Sequence, residues 1–247
     1  MDLTHHRVFV TGGTRGIGLA LARALTARGA AVAICGRSAE GIAEAREQLP
    51  SLTTLQCDLG DLEVLPSFVA QLRSTFGAPT ILVNNAGIQF NHEWPTTDTA
   101  ETLARLTTEI GVNLTSPLAL TALLLPDLLG AREAAVVNVS SLLALAPKRS
   151  APVYCATKAA IRSFSQALRY QLAAHPSVRV VEVLPPLVDT GMTVGRGTGK
   201  ISAARAADEI VRGMERDADE IYVGKGRLLR VLHRLAPGAA ARLLRAG

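Results

Sequence analysis

A chain of 247 residues that is 48% hydrophobic but only 4% aromatic is long enough for one large α/β domain with a core of Ala, Leu and Val. Its net charge of +5 comes from the C-terminal stretch: residues 225–247 carry Lys225, Arg227, Arg230, Arg234, Arg242 and Arg245 with no acid, which leaves residues 1–224 at −1. A near-neutral body argues against a nucleic-acid partner despite the pI near 9.5, and Cys35, Cys57 and Cys155 lack the spacing of a metal site or a disulfide framework.

The chain begins Met1-Asp2-Leu3-Thr4-His5-His6-Arg7 and enters a strand directly, so no secretory leader is expected. Strands are predicted at 7–11, 31–35, 52–57, 80–84, 134–140, 178–184 and 220–223. Helices are predicted between them at 16–29, 38–49, 61–76, 98–130, 154–174 and 202–216. The run Leu118 to Leu129 is interrupted by Pro126 and Asp127 and reads as a buried helix, and no apolar stretch is expected to reach the ~18 residues that span a bilayer. Strand–helix alternation predicts a doubly wound, Rossmann-type α/β fold: a seven-stranded, mostly parallel sheet with helices on both faces. Residues 1–224 form this one domain, and residues 225–247 form a basic amphipathic helical tail. With its cysteines reduced, the chain fits a cytoplasmic location.

Between the first strand and first helix lie Gly12, Gly13, Gly16 and Gly18. Glycines there permit a tight turn and let backbone N–H groups approach a phosphate at the positive helix end. The second strand ends Ile34-Cys35-Gly36-Arg37, with no acid to hold a ribose 2′-hydroxyl. Arg37, together with Arg15 in the glycine turn, instead suits a 2′-phosphate and favours NADP over NAD. Further on, Tyr154 and Lys158 are four apart in VYCATKAA and share a helix face. An ammonium beside a phenol favours the phenolate and should lower a pKa that is otherwise about 10. A tyrosine tuned in this way can exchange a proton with a reacting oxygen.

The motifs TGGTRGIG at 11–18, CDLGD at 57–61, NNAG at 84–87, VNL at 112–114, NVSS at 138–141, YCATK at 154–158 and LPPLVDT at 184–190 resemble, in this order, the single-domain branch of the short-chain dehydrogenase/reductase family. NNAGIQ, PVYCATKAA and PPLVDT look most like its DltE-like oxidoreductase subgroup. The resemblance implies that Gly12, Thr14, Arg15, Gly16, Ile17, Gly18 and Arg37 bind the cofactor, with Asp58 and Leu59 beside the adenine. Asn85, Ala86 and Gly87 would pass the adenosine ribose. Pro185, Val188 and Thr190 would serve the nicotinamide. It assigns Asn113 to a helix bend and a proton relay, Ser141 rather than Ser140 to the substrate carbonyl, Tyr154 to acid–base chemistry, and Lys158 to both the tyrosine and the nicotinamide ribose. The family usually has Pro-Gly where this chain has Pro185-Pro186, which leaves the path of that loop open.

The function implied is an NADPH-dependent carbonyl reductase, or the reverse alcohol dehydrogenase. A sensor or scaffold protein that binds NADP(H) with little turnover is the alternative. A sugar-nucleotide epimerase would need a sugar domain that the chain lacks, and a methyltransferase would not need the Tyr–Lys pair. Ile88 to Asn91, Leu142 to Ala146, Val153, Leu187 and residues 191–201 should wall the substrate pocket, whose leucines favour an apolar carbonyl or alcohol. Gly191 to Lys200 holds four glycines and reads as a mobile lid, with Arg196 and Lys200 as solvated charges. His92 and Trp94 read as packing or surface residues. The apolar helices at 98–130 and 154–174 imply, by the family's habit, a homodimer or homotetramer. In the tail, Leu228, Leu229, Val231, Leu232 and Leu235 recur at helical spacing beside arginines. They would fold over their own subunit or a neighbour's, or make weak contact with an anionic membrane surface.

Overall fold

The computed structural model describes residues 1–96 and 98–245. Seven strands form one sheet in the order β3-β2-β1-β4-β5-β6-β9, and every pairing in it is parallel. They are β1 (Arg7–Val10), β2 (Ala31–Gly36), β3 (Thr53–Gln56), β4 (Ile81–Asn84), β5 (Ala134–Val139), β6 (Val178–Leu184) and β9 (Glu220–Tyr222). Strand order reverses between β1 and β4, which opens a crevice at their carboxyl ends.

Alternation along the strands decides what each face packs. Val8, Val10, Val32, Ile34, Ile81 and Val83 point to one face. There they meet Leu21, Ala22 and Leu25 of α1 (Gly16–Thr26) and Ile210, Val211 and Met214 of α7 (Ala203–Glu215). The same face takes Ala45 of α2 (Ala39–Gln48), a helix capped by the Ser38 hydroxyl, which accepts from the Gly41 N–H at 3.1 Å. Phe9, Ala33, Leu55 and Leu82 point the other way, onto Leu65, Phe68, Val69 and Leu72 of α3 (Leu65–Phe76). Leu120 and Leu124 of α5 (Ser116–Leu129) join them. Further along this face, Val136, Val178 and Val180 meet Leu168 of α6 (Pro152–Gln171).

The helix predicted at 98–130 is two helices, α4 (Thr99–Ile110) and α5, joined by a wider π-type turn at Gly111–Thr115 that carries Asn113, the residue at which the family resemblance implied a bend. Pro126 lies inside α5, which continues to Leu129, close to the predicted end at 130. By length and composition the run Thr99–Leu129 could cross a membrane, with a mean hydropathy of 1.4 in its most apolar window, contrary to expectation. Its leucines at 120, 124 and 128 are nonetheless core residues against the sheet. Not expected either is a pair of two-residue strands, β7 (Val188–Asp189) and β8 (Ile201–Ser202), that pair in parallel and clamp the base of the glycine-rich segment.

The tail forms α8 (Gly226–Leu235) and α9 (Pro237–Arg245), folded on their own subunit. Leu229 and Ala240 are buried with Leu142, Leu184 and Tyr222. Arg149 N–H donates to the Arg245 carbonyl at 3.1 Å, so α9 reaches the loop before α6. Leu228, Val231 and Leu235 remain exposed on the outer side of α8.

Candidate active site

The crevice at the strand ends is a cleft of about 440 Å³. Gly12, Thr14, Arg15, Gly16, Ile17 and Gly18 line it from the β1–α1 turn, Arg37 from the end of β2, and Asp58 and Leu59 from the end of β3. Asn85, Ala86 and Gly87 line it after β4, Ser141 after β5, Tyr154 and Lys158 from α6, and Pro185, Val188 and Thr190 after β6. Of the predicted site residues, Asn113 alone is set behind the wall.

Backbone proximity at the turn needs glycine. A Cβ on Gly18 would lie 2.2 Å from the Gly12 carbonyl and 2.6 Å from Asn85 Nδ2. Gly12 itself has φ +62, and its Cβ would stand 2.9 Å from the Ala86 Cα. The turn is tied to the end of β4 by Thr11, whose hydroxyl accepts from the Asn85 and Ala86 N–H groups at 3.0 Å each. Asn85 Nδ2 donates back to the Thr11 carbonyl at 2.9 Å. Arg15 and Arg37 are exposed at this end of the cleft and form no ion pair among the described residues.

At the other end, Lys158 is buried and donates to the Val139 carbonyl at 2.8 Å. Its ammonium stands 5.6 Å from the centre of the Tyr154 ring. Ser140, next to Ser141, turns away to donate to the Lys158 carbonyl at 3.1 Å, while Ser141 Oγ accepts from Leu143 N–H at 3.1 Å and faces Tyr154. Asn113 Nδ2 donates to the Ile88 carbonyl and its Oδ1 accepts from Ile88 N–H, both at 2.8 Å. It also donates to the Thr157 hydroxyl at 3.3 Å. The helix turn is therefore locked to the loop after β4 that carries Gly87.

The electrostatics correct one expectation. Desolvation pushes Tyr154 up to about 12, and the Ser141 hydroxyl only partly opposes this. Burial alone lowers Lys158 to about 8. The phenol is therefore held protonated at neutral pH, and the cost of enclosing a phenolate outweighs the nearby ammonium. Cys35 and Cys57 are pushed up to about 12 and about 11 by burial, so neither is a thiolate.

On the substrate side, Ile88, Gln89, Leu142, Leu143, Leu187, Gly191, Met192, Thr193, Arg196 and Gly197 line the cleft as expected, while Phe90, Asn91, Ala144, Leu145, Ala146, Val153 and residues 194, 195 and 198–201 lie outside it. The lid is tied down: Arg196 Nη2 donates to the Gln89 carbonyl at 3.4 Å, and Lys200 donates to the Thr193 carbonyl at 2.6 Å and pairs with Asp189 at 3.5 Å. Arg196 is thus turned into the cleft rather than into solvent. Lys148, Leu243 and Leu244 also line it and were not anticipated. Glu109, fully buried on α4, accepts from Phe90 N–H at 3.2 Å and approaches His92 Nε2 at 3.5 Å. Trp94 is half exposed at the surface.

The model of the short chain dehydrogenase family matches residues 6–200. The chain is 45% identical over 192 residues to the uncharacterized oxidoreductase DltE of Bacillus subtilis, covering 78% of this chain and 75% of that protein. It is 32% identical over 208 residues to an uncharacterized oxidoreductase of Staphylococcus epidermidis, covering 82% and 87%. Among solved structures, a short-chain dehydrogenase of Burkholderia cenocepacia in complex with NADP superposes with a TM-score of 0.86 over the whole of both chains at 27% identity. One from Burkholderia phymatum in complex with NAD gives 0.85 at 19% identity, over 99% and 97% of the two chains. Motifs, sheet order and cleft agree with these likenesses, and the chain belongs to the short-chain dehydrogenase/reductase family of oxidoreductases, within which it resembles DltE.

Proposed function

We propose that the protein is an NADPH-dependent carbonyl reductase, equally able to run as an alcohol dehydrogenase, with Tyr154 as its acid–base. The observation that carries this reading is the convergence of Tyr154, Ser141 and Lys158 on the same cleft as the glycine turn. The cofactor fits the residues present. The turn leaves no room for a Cβ at Gly18, where backbone N–H groups must stay open to a diphosphate, and the unpaired Arg15 and Arg37 suit a 2′-phosphate. Gly12 to Gly18 and Arg37 would hold the adenosine and phosphate end, with Asp58 and Leu59 at the adenine and Asn85 to Gly87 along the ribose. Lys158, Pro185, Val188 and Thr190 would hold the nicotinamide half. When bound, the nicotinamide supplies a hydride to the carbonyl carbon.

The rest follows from this chain's own groups. Ser141 Oγ, fixed by Leu143 N–H, holds the carbonyl oxygen and stabilises its growing charge. Tyr154, neutral at pH 7, donates its proton to that oxygen. Lys158 stabilises the phenolate left behind. Asn113 keeps Ile88 and Gly87 in place and would pass a proton through water to the lysine. Oxidation runs the same steps in reverse.

The test is loss of NADPH absorbance against a panel of ketones, aldehydes, keto-thioesters and imines, with the unmodified protein and Tyr154→Phe. The substitution should lower turnover by about 10²- to 10⁴-fold while NADPH affinity changes little, because only the phenolic hydroxyl is lost. Substantial turnover by Tyr154→Phe on a true substrate would refute the mechanism.

The three buried free cysteines support a reducing, cytoplasmic setting. Exposed Leu103 on α4 and Tyr170 on α6 support a homodimer or homotetramer through those helices. The inward packing of Leu229 and Ala240 supports the tail as a wall of the cleft rather than a membrane contact.

A further inference from the structure

Two cations meet at the substrate end of the cleft with no counter-charge of their own. Lys148 is 8% exposed and lines the cleft, and among the described residues its ammonium has neither an ion pair nor a hydrogen bond. Arg196 reaches in from the lid, where Nη2 is used by the Gln89 carbonyl and Nη1 is buried without any partner. Burial, and after it the charge of Arg196, lowers the Lys148 pKa, so the two cations also repel each other. Arg196 is also within electrostatic reach of Tyr154, and all three side chains line the same cleft. The acid that feels Arg196 is Glu109, but its carboxyl is engaged by Phe90 N–H and His92 and burial pushes it up to about 7. It therefore offers at most a partial charge at neutral pH.

An unsatisfied buried guanidinium N–H is costly, and beside it an ammonium on a largely buried side chain opens to the cleft with no acid to pair it; fixed donors of this kind are matched by an anion. Leu143, Leu187, Met192 and Leu244 supply apolar wall around them. We propose that Lys148 and Arg196 form an anion-recognition subsite, and that the substrate is a carbonyl compound, or its alcohol, bearing a carboxylate on an apolar body. The guanidinium offers a planar donor edge to that carboxylate and the ammonium a point charge beside it. This assignment rests on the reductase reading above and narrows it: the pocket is apolar along its walls and cationic at one spot.

The test compares a series of ω-keto acids of increasing chain length with their methyl esters, in the unmodified protein, Arg196→Met, Lys148→Met and the double variant. At the best chain length the acid should exceed its ester in kcat/KM by about tenfold or more, and each substitution should reduce that ratio by about tenfold. The dissociation constant for NADPH is measured alongside and should stay within about twofold, on the physical ground that neither side chain serves the cofactor phosphates. Esters reduced as well as acids, or an acid preference that survives the double substitution, would overturn the subsite. So would variants that lose NADPH affinity and leave the ratio alone, since the cations would then belong to the cofactor. If no carbonyl compound is turned over, calorimetric binding of the keto acids to the NADPH-loaded protein decides. Binding that is lost in the double variant keeps the subsite and sinks the reductase reading; no binding of any acid removes the subsite itself.

Discussion

Replacing Arg37 by aspartate should invert the cofactor preference, and the structure bounds the size of the effect. Arg37 and Arg15 both line the adenosine end of the cleft, both are exposed, and neither is held by a protein carboxylate. No existing ion pair has to be broken when a 2′-phosphate arrives. A hydrogen bond to a charged group contributes roughly 1.5–3 kcal/mol, and solvent screening at an exposed site argues for the lower figure, about 1.5 kcal/mol per arginine. Arg37→Met should therefore weaken NADPH by about tenfold, and Arg15→Met with Arg37→Met by about 10²-fold. Aspartate adds repulsion of about 1–4 kcal/mol at ~4 Å, giving a total loss of about 10²- to 10⁴-fold. NADH carries no 2′-phosphate, so its affinity should hold or improve as the new carboxylate meets the ribose hydroxyl. Fluorescence titration of both cofactors at low and physiological salt measures this, and the NADPH advantage should shrink as salt rises. Equal affinity of the unmodified protein for the two cofactors would refute the reasoning, as would a variant that weakens both alike.

Three other outcomes are expected. Gly18→Ala should abolish NADPH binding, measured by the same titration, because its Cβ would lie 2.2 Å from the Gly12 carbonyl. Leu229→Ala should cost about 2–5 kcal/mol, seen as a fall of roughly 4–20 °C in melting temperature, since it empties the contact of the tail with Leu142, Leu184 and Tyr222. Glu109 has a folded pKa of about 7, above its ordinary 4.5, so its charged form is the disfavoured one in the fold. Stability linked to it is present below 4.5 and is lost as pH rises through 7. Melting curves of Glu109→Gln should therefore match the unmodified protein near pH 4 and lie above it near pH 8; parallel curves across that range would remove the assignment.

Much of the site is legible in the chain because its pieces are local. The glycine turn, NNAG, NVSS and the Tyr154–Lys158 spacing each lie on one strand end or one helix turn, and the parallel sheet gathers strand ends onto one edge. What escapes is tertiary. The break between α4 and α5 is held by Asn113 reaching across to Ile88; the helical pattern of 98–130 does not report that bond to a residue 25 positions earlier, and only the family resemblance put a bend at Asn113. Strands of two residues such as β7 and β8 are too short to show a period. Four glycines made Gly191 to Lys200 read as a free lid, yet Arg196 and Lys200 spend their donors holding it. Lys148 lies in an unpatterned loop, and Leu243 and Leu244 lie some 85 positions beyond Lys158, so their place in the cleft is set by α9 reaching Arg149. The tyrosine's pKa is the sharpest case. Spacing brings the ammonium near, but only the three-dimensional enclosure shows that desolvation prevails.

That enclosure predicts which residue sets the alkaline limit of reduction. A neutral Tyr154 at about 12 is a competent proton donor across the whole accessible range and cannot produce a limb near neutrality. Lys158, lowered to about 8 by burial, loses its charge far sooner. In the proposed mechanism its ammonium stabilises the phenolate once the proton has moved, so reduction should need the protonated lysine. Because the folded pKa lies below the ordinary lysine value, the charged form is complete only at pH values under 8 and is lost as pH rises through 8. The profile of kcat/KM, which reports groups of the free enzyme, should then fall above about pH 8 with one proton lost. Lys158→Arg keeps a charge that does not titrate, so whatever activity it retains should lack this limb. Unmodified protein with a flat profile to about pH 10, or Lys158→Arg with its limb still near 8, would place the ionisation elsewhere.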